Sequence, residues 1–127
     1  FLEESLRRDG QPQRLFRVAT EDCDVNGTSV SAGDWVAIFF AAANRDPAVF
    51  ENPDQFQLPR KNVSRHLTFG HGIHTCMGFR VAKLEGEKLL HGVLDNFSGI
   101  RPGAEPARRQ SGGLLNYGYE TLPVILE

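Results

Sequence analysis

The strongest periodic signal lies in the second half of the chain. From about Met77, the residues Phe79, Ala82, Gly86, Leu89 or Leu90, Val93 and Phe97 recur at three- and four-residue spacing, while Arg80, Lys83, Glu87 and Lys88 fall largely elsewhere. That spacing predicts an amphipathic helix with one buried face. The opening Phe1-Leu2-Glu3-Glu4-Ser5-Leu6-Arg7-Arg8 reads as the last turns of another helix, closed by Asp9-Gly10 and Pro12. Leu15 to Thr20 has strand character, and Cys23-Asp24-Val25 and Thr28-Ser29-Val30 flank Asn26-Gly27, the dipeptide best suited to the positive φ angles of a tight hairpin. Trp35 to Ala43 begins as a buried strand and turns helical where alanines gather. Asp46 before Pro47 predicts an N-cap and first-turn proline, opening a short helix through Phe50 that Asn52-Pro53 stops. Pro53 to Arg65 lacks periodicity and is expected to be a meandering loop held by side chains. Arg101 to Gly113 reads as a loop, and Leu114 to Leu126, with Tyr117-Gly118-Tyr119 and Val124-Ile125-Leu126, predicts a terminal hairpin.

Composition narrows the classes. A chain of 127 residues suits one domain, and 40% hydrophobic with 24% charged residues predicts a packed core rather than a disordered chain. A net charge of -2 without a long basic block argues against a nucleic-acid partner. The longest apolar run, Trp35 to Ala43, is far short of the roughly 18 residues a membrane span needs. Cys23 and Cys76 lie far apart with no C-x-x-C pairing, which predicts neither a disulfide framework nor a structural zinc site and suits a reducing, cytoplasmic location. The start at Phe1, without initiator methionine or signal peptide, is read as a cut from something longer.

The chemistry concentrates in Phe69-Gly70-His71-Gly72-Ile73-His74-Thr75-Cys76-Met77-Gly78, directly before the best helix. A thiolate at a helix start is stabilised by the positive end of the macrodipole and by free backbone N–H groups, and so can serve as an anionic metal ligand. Glycines without Cβ let the backbone pass close to a flat, bulky group. Taken alone, such a cysteine is a buried structural thiol, a nucleophile, a redox sensor or an axial ligand to haem iron. A zinc site of His71, His74 and Cys76 lacks a fourth ligand and matches no usual spacing. Cys23, among Glu21, Asp22 and Asp24, is read as a bystander.

Phe-Gly-x-Gly-x-His-x-Cys-x-Gly, here Phe69, Gly70, Gly72, His74, Cys76 and Gly78, matches in full the haem-thiolate signature of the cytochrome P450 family. Glu4-Ser5-Leu6-Arg7 resembles the family's E-x-x-R helix motif. Phe56 to Arg60 resembles the meander whose arginine joins that pair in a triad, with a looser spacing. Phe16 to Thr20 resembles the strand bearing a propionate-binding arginine, and Asn44 to Pro47 the segment before the meander. The resemblance covers Phe1 to Glu127, is closest to soluble bacterial members, and lacks the distal helix with its A-G-x-[DE]-T-like stretch.

The resemblance implies an α+β piece, residues 1–127, forming the C-terminal haem-binding part of a mainly helical fold. Its parts are the end of the E-x-x-R helix, a small β-sheet, the meander, the cysteine-ligand loop, the long proximal helix and a terminal β-hairpin. It implies haem b (protoporphyrin IX iron) with Cys76 as axial iron ligand and catalytic residue. Arg17 and His74 pair with the propionates; Phe69, Gly70, Gly78 and Ala82 border the porphyrin; and Glu4, Arg7 and Arg60 form the structural triad. Arg65, Arg80, Lys83 and Lys88 form a basic proximal face for a ferredoxin-type or flavin redox partner. Substrate contacts come from Gln13 to Phe16 and Gly113 to Leu115. The implied activity is insertion of one oxygen atom from O2 into a small apolar organic substrate. Two alternatives stay open: a truncated haem protein with peroxidase-like or sensor behaviour, and a non-catalytic fold remnant. In either, the missing N-terminal part or a second copy covers the exposed face.

Overall fold

A computed structural model describes residues 1–113 and 115–127, and among them three α-helices and eight short strands follow one another in an α+β arrangement. Helix α1 (Leu2–Asp9) carries Glu3 and Glu4 in its first turn and Arg7 and Arg8 in its last, charges that complement the helix dipole at both ends. Strand β1 (Leu15–Val18) pairs antiparallel with β4 (Trp35–Ile38), placing Arg17 opposite Val36. Between them, β2 (Cys23–Val25) and β3 (Thr28–Val30) form the expected hairpin. Its turn has φ of 51° at Asn26 and 85° at Gly27, and the Asp24 carboxylate accepts the Gly27 N–H at 2.9 Å.

The alanine-rich stretch becomes α2 (Phe40–Ala43), with Phe40 buried. The helix expected from Asp46 to Phe50 is instead one capped turn. The Asp46 side chain accepts the Ala48 N–H at 2.9 Å and its carbonyl those of Val49 and Phe50 at 3.0 and 2.8 Å, after which Asn52, at φ 45°, turns the chain. Asn52-Pro53 follows too soon for a second turn. The meander then runs to a 3-10 turn at Val63–Arg65, and the Asn62 side chain holds it by donating to the Val49 carbonyl at 2.5 Å.

Helix α3 (Phe79–Asn96) packs on α1 and turns inward the expected Phe79, Gly86, Leu90 and Val93, with Lys83 joining them and Ala82 and Phe97 left out. Phe79, Lys83, Gly86, Leu90 and Val93 are half-buried, none fully, while Ala82, Leu89 and Phe97 are exposed. One short helix covers only a narrow stripe, and Gly86 centres it: a Cβ there would lie 2.9 Å from the Leu2 side chain.

The terminal hairpin also differs. Strands β7 (Tyr119–Thr121) and β8 (Val124–Leu126) do not pair with each other. Instead β7 pairs with β6 (Arg108–Arg109) and β8 with β5 (Ile100–Pro102), so the stretch read as a loop supplies two strands. The connector Leu122-Pro123 has no residue suited to positive φ, so the chain does not reverse there. The Pro123 carbonyl accepts the Gly103 N–H at 2.9 Å instead. Leu114, which falls in the expected hairpin and substrate turn, lies outside the described residues.

The interior is unusually polar. Of the apolar side chains only Phe40 and Phe50 are classed as buried among the described residues, whereas Glu4, Arg7, Asn44, Arg60, His66 and Thr68 all are. No buried side-chain nitrogen or oxygen among them lacks a hydrogen-bond partner. Among the described residues no helix is long and apolar enough to cross a membrane.

Candidate functional site: a cysteine loop on a polar frame

Glu4, Arg7 and Arg60 meet in that interior. Because Glu4 and Arg7 stand three apart on α1, both point toward the meander, and Arg7 donates to the two Glu4 oxygens at 2.8 Å each. Arg60 Nε lies 3.0 Å from both Glu4 oxygens, and the Gln57 N–H donates to the same carboxylate at 3.1 Å. The remaining guanidinium donors go to meander carbonyls and to α2's exit. Arg7 reaches Asn44 at 2.8 Å; Arg60 reaches Glu51 at 2.7 Å and Gln55 at 3.1 Å. Arg7 also lies over the Phe50 ring, 5.3 Å from its centroid. Burial pushes the Glu4 carboxyl up, but the hydrogen bonds from Arg7, Gln57 and Arg60 outweigh it and bring its pKa from 4.5 to about 2.

The frame continues into the cysteine loop. Asn44 accepts the Leu67 N–H at 2.6 Å and donates to the Thr68 hydroxyl at 3.0 Å, and that hydroxyl donates to the Leu6 carbonyl at 2.6 Å. The loop is thereby tied to α1 and α2 before it begins. Gly70, at φ 74°, turns the chain, and the Phe69 carbonyl accepts the Cys76 N–H at 2.8 Å, closing the loop on itself. A 3-10 turn, Gly72–His74, fills it, and Gly78 opens α3. A Cβ on Gly78 would sit 4.0 Å from the Cys76 sulfur, an ordinary contact distance, so this glycine stands next to the sulfur.

Five of the expected cofactor-binding residues, Phe69, Gly70, His74, Cys76 and Ala82, line one apolar cavity of about 590 Å³, completed by Leu6, Leu15, Phe40 and Leu115 among others. This is the size range of small-molecule and cofactor sites. Arg17 is not in its lining: half-buried on β1, its guanidinium donates to the Phe16 carbonyl at 2.8 Å. Leu15, Leu115 and Asn116 border the cavity, so parts of both expected substrate-contacting segments reach it, whereas Gln13, Arg14 and Gly113 line a separate, smaller depression. Cys23 is exposed on the hairpin, away from this cavity. His71, His74 and Cys76 do not gather into a metal-holding group of three among the described residues.

The expected basic face divides. Arg65 and Lys88 are exposed, and Arg80 lies over the Phe79 ring at 5.6 Å. Lys83 is turned inward, its ammonium 2.7 Å from Glu3. Sequence reading missed Glu3, Asn44 and Thr68 as supports of the loop. Their partners are distant in sequence, and no local pattern marks them.

A family model described as Cytochrome P450 matches residues 1–119, and the chain belongs to the cytochrome P450 family. It is 43% identical over 125 residues to a Mycobacterium tuberculosis protein carrying the name cytochrome P450 140, covering 98% of this chain and 28% of that one. It is 37% identical to 6-deoxyerythronolide B hydroxylase of Saccharopolyspora erythraea, covering 99% and 31%. A crystal structure of P450BioI in complex with hexadec-9Z-enoic acid ligated acyl carrier protein superposes with a TM-score of 0.91 at 37% identity, covering 99% of this chain and 32% of that one. Mycobacterium marinum CYP150A6 superposes at 0.94 with 31% identity, covering 99% and 33%. The architecture is that of the C-terminal portion of this fold, and the chain spans about 28–31% of the length of these two curated relatives.

Membership implies a haem cofactor, and the residues present fit one. The cavity is apolar and opens on a cysteine sulfur that makes no hydrogen bond among the described residues. Gly70 withholds a side chain from its wall, and His74 is a polar group there.

Proposed function

We propose that residues 1–127 form the haem-binding part of a cytochrome P450 monooxygenase that oxidises a small apolar organic substrate with electrons from a redox partner. The observation that carries this reading is the convergence of Cys76, His74, Phe69, Gly70 and Ala82 on one apolar cavity. Bound haem supplies the reductive activation of dioxygen. Cys76 holds the iron through its sulfur and donates electron density to it. Its backbone N–H, held by the Phe69 carbonyl, keeps the loop from swinging, and Phe69 stands beside it in the cavity wall. His74 and Arg17 are assigned to the propionates as charge-assisted donors. Gly70, Gly78 and Ala82 leave room for the flat macrocycle. Leu6, Leu15, Phe40 and Leu115 make the wall apolar, which favours an apolar substrate. Glu4, Arg7 and Arg60 hold α1 and the meander as the base on which the loop rests. Arg65, Arg80 and Lys88 are the cations available to steer an acidic ferredoxin-type or flavin partner, with Lys83 assigned a structural share.

The test is the difference spectrum of the reduced, carbon-monoxide-bound protein. A strongly red-shifted Soret band that Cys76→Ser abolishes is the expected result; no such band after haem reconstitution overturns the assignment. A second reading is haem binding with peroxidase-like or sensor behaviour and no coupled oxygenation. Reductant consumption that yields no oxygenated product, in a protein showing the band, selects it.

A further inference from the structure

His66 is a buried titratable side chain that the proposed mechanism does not use. Its ring is satisfied on both sides: Nδ1 accepts the Thr68 N–H at 3.2 Å, and Nε2 lies 3.1 Å from Glu3 Oε2. An Nδ1 that accepts from an amide carries no proton, so the ring is the Nε2–H tautomer and donates to Glu3. Burial pushes the His66 pKa below its ordinary 6.5 against the opposing pull of Glu3, in keeping with that neutral form. The other Glu3 oxygen takes the Lys83 ammonium at 2.7 Å, so one carboxylate ties α1 to the pre-cysteine segment and to α3. At the centre of this tie is the Phe69 ring. His66 lies 6.1 Å from it, Phe79 6.2 Å, and the Lys83 ammonium 5.8 Å above its face. The carbonyl of Phe69 in turn holds the Cys76 N–H.

We propose that His66 is a positioning residue for the cysteine sulfur: together with Glu3 and Lys83 it clamps Phe69, and through the Phe69 carbonyl it sets the backbone that aims Cys76 at the iron. The inference rests on the haem-thiolate reading of Cys76. Groups one contact removed from a metal ligand, as Phe69 is, commonly alter metal affinity or activity about 10–100-fold when removed, and His66, one contact further, is expected at the low end of that range. His66→Leu removes both hydrogen bonds at similar bulk. His66→Gln keeps a donor for Glu3, and Lys83→Met removes the cation above Phe69 together with its ion pair to Glu3 but leaves the His66–Glu3 hydrogen bond.

The experiment uses the haem-loaded protein and reads the carbon-monoxide difference spectrum, the haem reduction potential and the rate of haem transfer to apomyoglobin. His66→Leu is expected to lose part of the red-shifted band to a shorter-wavelength one, to shift the potential, and to release haem roughly 10-fold faster. His66→Gln is expected to restore most of the band, and Lys83→Met to fall between. A His66→Leu protein with the parental spectrum, potential and release rate overturns the inference. So does equal damage in His66→Leu and His66→Gln that tracks thermal stability alone, which marks a merely structural role. Absence of the band from the unsubstituted protein, or its survival in Cys76→Ser, overturns the haem-thiolate reading and this inference with it.

Discussion

Glu4 is the anion at the centre of the buried polar frame. Two arginines and a backbone amide converge on its carboxylate, which is 1% exposed. Its pKa is about 2 in the folded chain against 4.5 ordinarily, so the folded state favours the ionised form. The stabilisation is therefore complete above pH ~4.5 and disappears as pH falls through about 2; at 1.36 kcal/mol per unit it amounts to ~3 kcal/mol. Denaturant titrations are expected to show stability falling between pH 5 and pH 2, and Glu4→Gln is expected to flatten that slope. The same variant leaves two buried arginines without their counter-charge and is expected to lower stability at pH 7 by ~3–5 kcal/mol. A Glu4→Gln protein as stable as the parent at pH 7 contradicts this account. Arg60 shows the limit of local reading. Its loose meander spacing made it the weakest member of the expected triad, yet its geometry to Glu4 comes from tertiary placement, because the meander's path is set by side chains and no periodicity records it.

At the scale of the elements, two glycines of α3 make opposite predictions. Gly92 faces open space, so Gly92→Ala removes only the backbone-entropy penalty of glycine and is expected to stabilise by up to ~1 kcal/mol. Gly86 faces Leu2 of α1, and a branched side chain there must push the two helices apart. Gly86→Leu is expected to destabilise by ~1–3 kcal/mol, read as a lower Tm while Gly92→Ala raises it. The α3 periodicity was legible and placed Phe79, Gly86, Leu90 and Val93 inward, but it did not show that Lys83 joins them, that Phe97 stays out, or that Ala82 faces the cavity and not α1. A helix repeat states that a stripe exists; the partner helix decides which stripe. Hairpin β2–β3 was legible because Asn26-Gly27 encodes its turn locally. The pairing of β7 with β6 and of β8 with β5 was not, since it joins strands through contacts that no adjacent residues specify.

Seen whole, the chain places charge inside and leaves hydrocarbon outside. Val81, Leu84, Leu89 and Leu94 of α3 are 54–71% exposed, and Ile73 and Met77 beside the cysteine are almost fully so. Exposed apolar surface in this amount promotes association. The 127-residue chain is expected to sediment as oligomers at high concentration and to bind a hydrophobic dye, and Leu89→Glu with Leu94→Glu is expected to reduce both. A stable monomer that ignores the dye contradicts this prediction.

The amino-acid order alone determined the cysteine loop, the glutamate–arginine pair of α1, the Asn-Gly hairpin and the existence of a long amphipathic helix. Each is encoded within a few consecutive residues or one helical repeat, so backbone sterics and short-range periodicity suffice to express it. Tertiary structure decided the rest. It brought Arg60 to Glu4 and tied Glu3 to both His66 and Lys83; it set which face α3 turns to α1 and gathered loop, helix and terminal turn around one cavity. Those contacts join segments far apart in sequence, and their geometry follows from how the elements pack and from the need of every buried polar group for a partner, which no local pattern records.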